Sequence, residues 1–194
     1  RAEGHASWTT GSWQVVVKNG SARFYQQGNE HFSLYPAVQY DKATIIQKDD
    51  VIRYETLADE SQSVSHVQYH YQNGVVDVEI GFLPKKSKAV LLSIAGELLA
   101  GQQVQLDKRL VTVPLRFEKH EFPHAKRMTF WPGESDKQMT VEIDGVNFAN
   151  LRDYRNQPNR NDLQVFVHTK PGQTAHLRIV LGEQKEQIVN IPQA

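Results

Sequence analysis

Apolar and polar residues alternate along most of the chain, and three two-residue turn signals, Asn19-Gly20, Asn73-Gly74 and Asp144-Gly145, interrupt that alternation. Asn, Asp and Gly tolerate the positive φ of a type I′ turn, whose twist suits the antiparallel strands on either side. A two-residue loop also fixes register. Around Asn73-Gly74, Tyr71 faces Val76, Tyr69 faces Val78 and Val67 faces Ile80, while His70 meets Asp77 and Gln68 meets Glu79 on the opposite face. The same counting sets Val17 against Ala22 and Val15 against Phe24. Around Asp144-Gly145 it sets Ile143 against Val146 and Val141 against Phe148. A slip of one residue would undo every apolar pair. The pattern predicts an all-β chain, an antiparallel β-sandwich built from hairpins with little helix.

Strands are expected at 13–18, 21–26, 31–35, 43–48, 51–56, 64–71, 75–83, 89–95, 110–117, 128–130, 140–143, 146–151, 163–169, 174–181 and 187–191. A last hairpin around Lys170-Pro171-Gly172-Gln173 would place His168 opposite His176, pairing Val167 with Leu177, Val165 with Ile179 and Leu163 with Leu181. Residues 88–102 suit either a helix of about four turns or a strand. The alternation of Val90, Leu92 and Ile94, with Gly96 and Gly101 following, favours a strand and then a turn. Residues 1–10 read as a loose polar segment and 11–194 as a single β-sandwich domain.

Composition narrows the function. The 22 basic and 22 acidic residues cancel, so no global field attracts nucleic acid, and no nucleic-acid partner is expected. No apolar run is long enough to span a bilayer. The absence of cysteine removes disulfides, thiol catalysis and thiolate metal sites together. The chain opens at Arg1 with no signal-peptide pattern, which reads as a segment of a longer or processed polypeptide. A secreted or periplasmic setting is expected. The run Pro84-Lys85-Lys86-Ser87-Lys88 reads as an exposed basic loop.

No Gly-rich phosphate loop and no serine in a nucleophile elbow is present, so no cofactor and no acyl-transfer residues are expected. His66, His70, Asp77 and Glu79 share the polar face of the second hairpin. Asp77 and Glu79, two residues apart on a strand, stand roughly 7 Å from each other, a spacing compatible with acid and base roles in glycoside hydrolysis. A solvated sheet face requires the same alternation of polar residues, so both readings stand. His66 and His70, about 13 Å apart on a strand, cannot share an ion. His120, Glu121 and His124 mimic a helical zinc motif, but Pro123 breaks the helix it depends on. No metal site is expected.

The loop 150–162 carries Arg152, Tyr154, Arg155, Asn156 and Arg160 between two strands and is longer than a connection needs to be. Amides and guanidinium forks match paired sugar hydroxyls and uronate carboxylates, and Tyr154 could stack on a pyranose ring. Trp131, where a strand meets a turn, is either a second sugar platform or a core residue, whereas Trp13, Tyr69 and Tyr71 have the core phase. These features favour a non-catalytic carbohydrate-binding or accessory domain of a polysaccharide-processing protein, with Trp131, Arg152, Tyr154, Arg155, Asn156 and Arg160 as ligand contacts. Its partners would be a polysaccharide or oligosaccharide and a neighbouring domain of a longer polypeptide. The alternatives are a structural or protein-interaction sandwich, and a glycosidase or lyase using the Asp77/Glu79 face.

Overall fold

The computed structural model describes residues 4–34, 42–56, 64–82, 88–170 and 172–183. The expected strand 187–191 and the basic run from Pro84 to Ser87 lie outside them. The elements are β1 His5–Thr10, β2 Trp13–Lys18, β3 Ser21–Gln26, β4 Asn29–Leu34, β5 Thr44–Lys48, β6 Val51–Glu55, β7 Val64–Gln72 and β8 Val75–Phe82. They continue with β9 Lys88–Ala95, a single helical turn α1 Gly96–Leu99, β10 Gln103–Leu106, β11 Arg109–Thr112, β12 Arg127–Phe130, β13 Met139–Asp144, β14 Phe148–Asp153, β15 Asp162–His168 and β16 Thr174–Leu181.

The strands form two antiparallel sheets. One has seven strands in the order β1-β2-β3-β4-β9-β15-β14, and the other nine in the order β11-β10-β12-β13-β16-β8-β7-β6-β5. Alternate residues of each sheet meet in one hydrophobic core, with Trp13, Phe24, Leu34, Ile94 and Val165 from the first sheet and Ile52, Tyr69, Ile80, Phe130 and Ile179 from the second. Burying each such side chain contributes about 1.5–3 kcal/mol, and the alternation leaves the opposite face of each sheet for polar residues. The all-β sandwich expected from the sequence is the fold observed. Among the described residues no helix is long and apolar enough to cross a membrane.

The first two hairpins have the registers counted from their turns, with Val17 opposite Ala22 and Val15 opposite Phe24. In the second, Tyr69 lies opposite Val78 and His70 opposite Asp77. Asn19 and Asn73 adopt φ values of 55° and 49°, as type I′ turns require.

Two expected hairpins do not form. Beyond Asp144-Gly145 the chain crosses to the other sheet: Ile143 and Val141 pair with Leu177 and Ile179 of β16, while Ala149 and Leu151 of β14 pair with Val167 and Val165 of β15. β15 and β16 therefore lie in different sheets, and His168 does not face His176. Alternation fixes which side of a strand is buried, and in a sandwich a crossing strand keeps its apolar side inward just as a hairpin would.

Residues 5–10, expected to be loose, form edge strand β1, paired with β2 from Thr10↔Trp13 to His5↔Lys18. The strand 110–117 is shortened to β11, with Pro114 soon after its end removing a donor. The ambiguous stretch 88–102 is strand β9 followed by one turn of helix.

Candidate functional site

The outer face of the nine-stranded sheet carries a groove of about 580 Å³ lined by residues of five adjacent strands. Its floor is a lattice set by strand register. Along one rung, Arg127, Glu142, Arg178, Asp77 and His70 are successive partners across β12, β13, β16, β8 and β7. Along the next, Asp144, His176, Glu79 and Gln68 cross β13, β16, β8 and β7, and Arg53 on β6 extends the row. Neighbouring strands lie about 4.8 Å apart, so each side chain sits beside one of unlike character.

Glu79 is the most constrained of these groups. One of its oxygens accepts hydrogen bonds from Arg53 Nη1 at 3.1 Å and His66 Nε2 at 2.9 Å. Partial burial would raise its pKa, but the hydrogen bonds from Arg53 and His66 and their charges outweigh that and hold it below the ordinary carboxylate value. Gly81 makes the His66 contact possible, because a Cβ there would lie 2.3 Å from the imidazole ring. Arg53 is further tied to Glu55 at 2.5 Å and to the Gln68 carbonyl at 3.2 Å. The Asp77/Glu79 face is thus concave, as an acid/base site requires. Its glutamate is held ionised, which suits it to accept a proton or a hydroxyl hydrogen bond and not to act as the general acid at neutral pH.

The loop residues expected to bind ligand are placed differently. Trp131 is 1 % exposed, and its indole donates to the Leu98 carbonyl and packs edge-on against Phe32. It is a core residue, not a platform. Arg155 is also unavailable, since its side chain is 7 % exposed and is bound to both oxygens of Asp153 and to the Leu115 carbonyl. Arg152 lies 3.8 Å above the Phe166 ring and within 3.4 Å of His168 Nε2. The guanidinium of Arg160 covers Tyr154 at 4.2 Å, taking the face on which a sugar would stack.

Asn156 and Arg160 remain exposed. Arg160 and Asp162 line a smaller depression of about 390 Å³ with Glu30, Ser33 and Ser93. Asp162 is held below the ordinary carboxylate value: its burial opposes the shift, and hydrogen bonds from Gln164, Arg160 and Ser93 prevail.

His120 and His124 face aromatic rings, His124 stacking on Phe148 with centroids 4.3 Å apart. Among the described residues no group of three His, Asp or Glu side chains is placed to hold a metal ion. Residues of β12, β13 and β16 were missed as site components because their convergence on Asp77 and Glu79 depends on non-local pairing. Only the alternation of Glu142 with Asp144 and of His176 with Arg178 hinted at a polar outer face.

No family model and no curated protein sequence matches the chain. Solved structures do. A galactose mutarotase related enzyme from Lactobacillus acidophilus superposes with a TM-score of 0.51 at 9 % identity, covering 94 % of this chain and 98 % of that one. A putative aldose 1-epimerase from Escherichia coli K12 superposes with a TM-score of 0.50 at 8 % identity, covering 93 % and 99 %. At such identity the likeness is one of fold. These structural neighbours are carbohydrate-related β-sandwich proteins.

Proposed function

We propose that this chain is a carbohydrate-recognition β-sandwich of a polysaccharide-processing protein, and that sugar binds in the groove on the outer face of the nine-stranded sheet. The observation that carries the reading is the lattice itself. Carboxylates, imidazoles, guanidinium groups and the Gln68 amide point from five adjacent strands into one open groove. Donors and acceptors that alternate at strand spacing match the alternating hydroxyls of a pyranose better than they match a flat apolar partner. The fold shared with a mutarotase-related enzyme and a putative aldose 1-epimerase supports the same reading. Exposed Asn156 and Arg160 would form a secondary contact surface, and a polysaccharide ligand would suit the secreted or periplasmic setting proposed for the chain.

A second reading is favoured by one feature. His70 is the cross-strand partner of Asp77, and His176 that of Glu79, so the groove holds two histidine–carboxylate pairs. Such pairs can exchange protons with a sugar, which would make the chain itself an enzyme acting at the anomeric carbon or on a glycosidic bond.

One experiment separates the two. The purified chain is screened on a polysaccharide and oligosaccharide array, and the same samples are analysed for product and for the rate of anomer interconversion of free hexoses. Binding without conversion, lost in Arg178→Ala and Gln68→Ala but retained in Arg160→Ala, is the expected result. Accelerated anomer exchange abolished by Glu79→Gln would replace the recognition reading with the catalytic one. Binding unaffected by the groove variants and lost in Arg160→Ala would move the site to the loop.

A further inference from the structure

The opposite sheet carries a concavity of its own. On the outer face of the seven-stranded sheet, Ser33, Ser93 and Gln164 are successive cross-strand partners on β4, β9 and β15. Outward polar residues of an open sheet are ordinarily solvated, yet Ser33 is only 6 % and Gln164 only 8 % exposed. Ser33 and Ser93 line the depression of about 390 Å³, which is bounded by Glu30 and by residues 159–161 of the loop before β15. That loop is tied down on both sides of the depression. The Gly96 amide donates to the Asn161 carbonyl at 2.7 Å, and the Asn161 amide donates to Glu97 at 3.2 Å. Arg155 is held on Asp153 at 2.7 Å.

The hydrogen bonds of the depression define what it offers a ligand. Asp162 accepts from Ser93 Oγ and Gln164 Nε2, each at 2.9 Å, and from Arg160 at 3.3 Å. Ser93 has therefore given its proton and keeps its lone pairs for accepting. The Ser33 hydroxyl, nearly enclosed, has no hydrogen-bond partner among the described residues and is free to donate and accept. A nearly buried hydroxyl bonds to whatever occupies the space beside it. Adjacent sugar hydroxyls, each a donor and an acceptor at once, complement this pair, and the volume suits one pyranose. On the carbohydrate reading above, we propose that this depression is a second sugar site, independent of the groove, and that the chain is bivalent for a polysaccharide. The sheets of a sandwich pack about 10 Å apart and each site lies outside its own sheet, so a short oligosaccharide cannot touch both. A single unit in a shallow site binds on the order of millimolar. The depression thus adds affinity for a long polymer already held by the groove and does not hold one alone.

The test compares linear galactan, glucan and mannan with their own hexasaccharides. Affinities are measured for the wild-type chain and for Ser33→Val, which removes the hydroxyl, adds a methyl group to the depression and keeps a residue suited to a strand. Ser33→Ala is the second variant, and thermal melting establishes that each is folded. Hexasaccharide affinity, set by the groove, should be unchanged, while affinity for the bound polymer should fall about tenfold in both variants. A direct reading comes from amide resonances of the Arg178→Ala/Gln68→Ala chain. Methyl galactoside, glucoside or mannoside at millimolar concentration should shift the signals of Ser33, Ser93 and Asp162 there, with the groove disabled.

Polymer affinity that is equal in the wild-type chain and a folded Ser33 variant overturns the second site and leaves the groove in place, as does the absence of those resonance shifts. Parallel losses for polymer and hexasaccharide overturn the independence of the two sites. A wild-type chain that binds none of the polymers or hexasaccharides overturns the carbohydrate reading itself, and the bivalence with it.

Discussion

Glu79 shows how much of the site is decided by single contacts. Burial alone would make its carboxyl easier to protonate, but Arg53 and His66 reverse the direction. A carboxyl whose folded pKa lies below its unfolded value adds stability that is complete above the ordinary value of 4.5 and lost as pH falls through the folded pKa. Replacing Glu79 by Gln should therefore flatten the decline in denaturant midpoint between about pH 6 and about pH 3, with Asp162 supplying part of the slope that remains. A profile that superposes on the wild-type curve would mean that the Arg53–Glu79–His66 cluster does not persist in solution. Trp131 makes the opposite point. Its place at the end of β12, before Pro132-Gly133, suited exposure as well as burial. A φ of 50° turns it into the core against His31 and Phe32, and neither alternation nor composition specifies a backbone reversal at a tryptophan.

At the level of strands and turns, legibility followed locality. Hairpins closed by two residues were readable with their register, and others of the same kind were overlooked. Gln27-Gly28 joins β3 to β4, Asp107-Lys108 joins β10 to β11, and Gly11-Ser12 joins β1 to β2. The last was hidden because HASWTT looks polar, although Trp8 and Ala6 alternate with exposed His5, Ser7 and Thr9 as an edge strand demands.

Asp144-Gly145 was recognised as a turn and misjudged as a hairpin. Gly145 does take a positive φ of 74°, but the chain there passes between sheets so closely that a Cβ would lie 2.2 Å from the Thr174 carbonyl oxygen. Gly145→Ala should thus combine left-handed strain of about 1–2 kcal/mol with a backbone displacement, lowering the melting temperature by at least about 4 °C. Gly172→Ala, which has open space around it, is the control for the strain alone. Equal losses in the two variants would refute the close-approach argument. The groove belongs to the same lesson: its β7–β8 half was legible from one hairpin, and its β12, β13 and β16 half was not, because those strands come together only through long-range pairing.

For the whole molecule, the crossings decide how it unfolds. The seven-stranded sheet draws on residues 5–34, 88–95 and 148–168, and the nine-stranded sheet on 44–82, 103–144 and 174–181. Neither sheet is a continuous stretch of chain, and each contributes one wall of a single hydrophobic core. Removing one sheet would expose the apolar face of the other and break the core packing that both share, so partial unfolding by sheets has no stable product. The expected behaviour is one cooperative transition. Trp13 and Trp131 are each 1 % exposed within that core and report its packing through near-ultraviolet circular dichroism and fluorescence, while the far-ultraviolet signal reports the strands. Followed in urea, the three signals should give coincident midpoints and a single slope, consistent with one domain from the edge strand β1 to β16. Loss of the tryptophan signals at a lower urea concentration than the strand signal would show instead that the sheets separate before they unfold. The groove, built on one sheet alone, would then survive the loss of the core, and sugar binding measured across the same urea series would persist beyond the tryptophan transition.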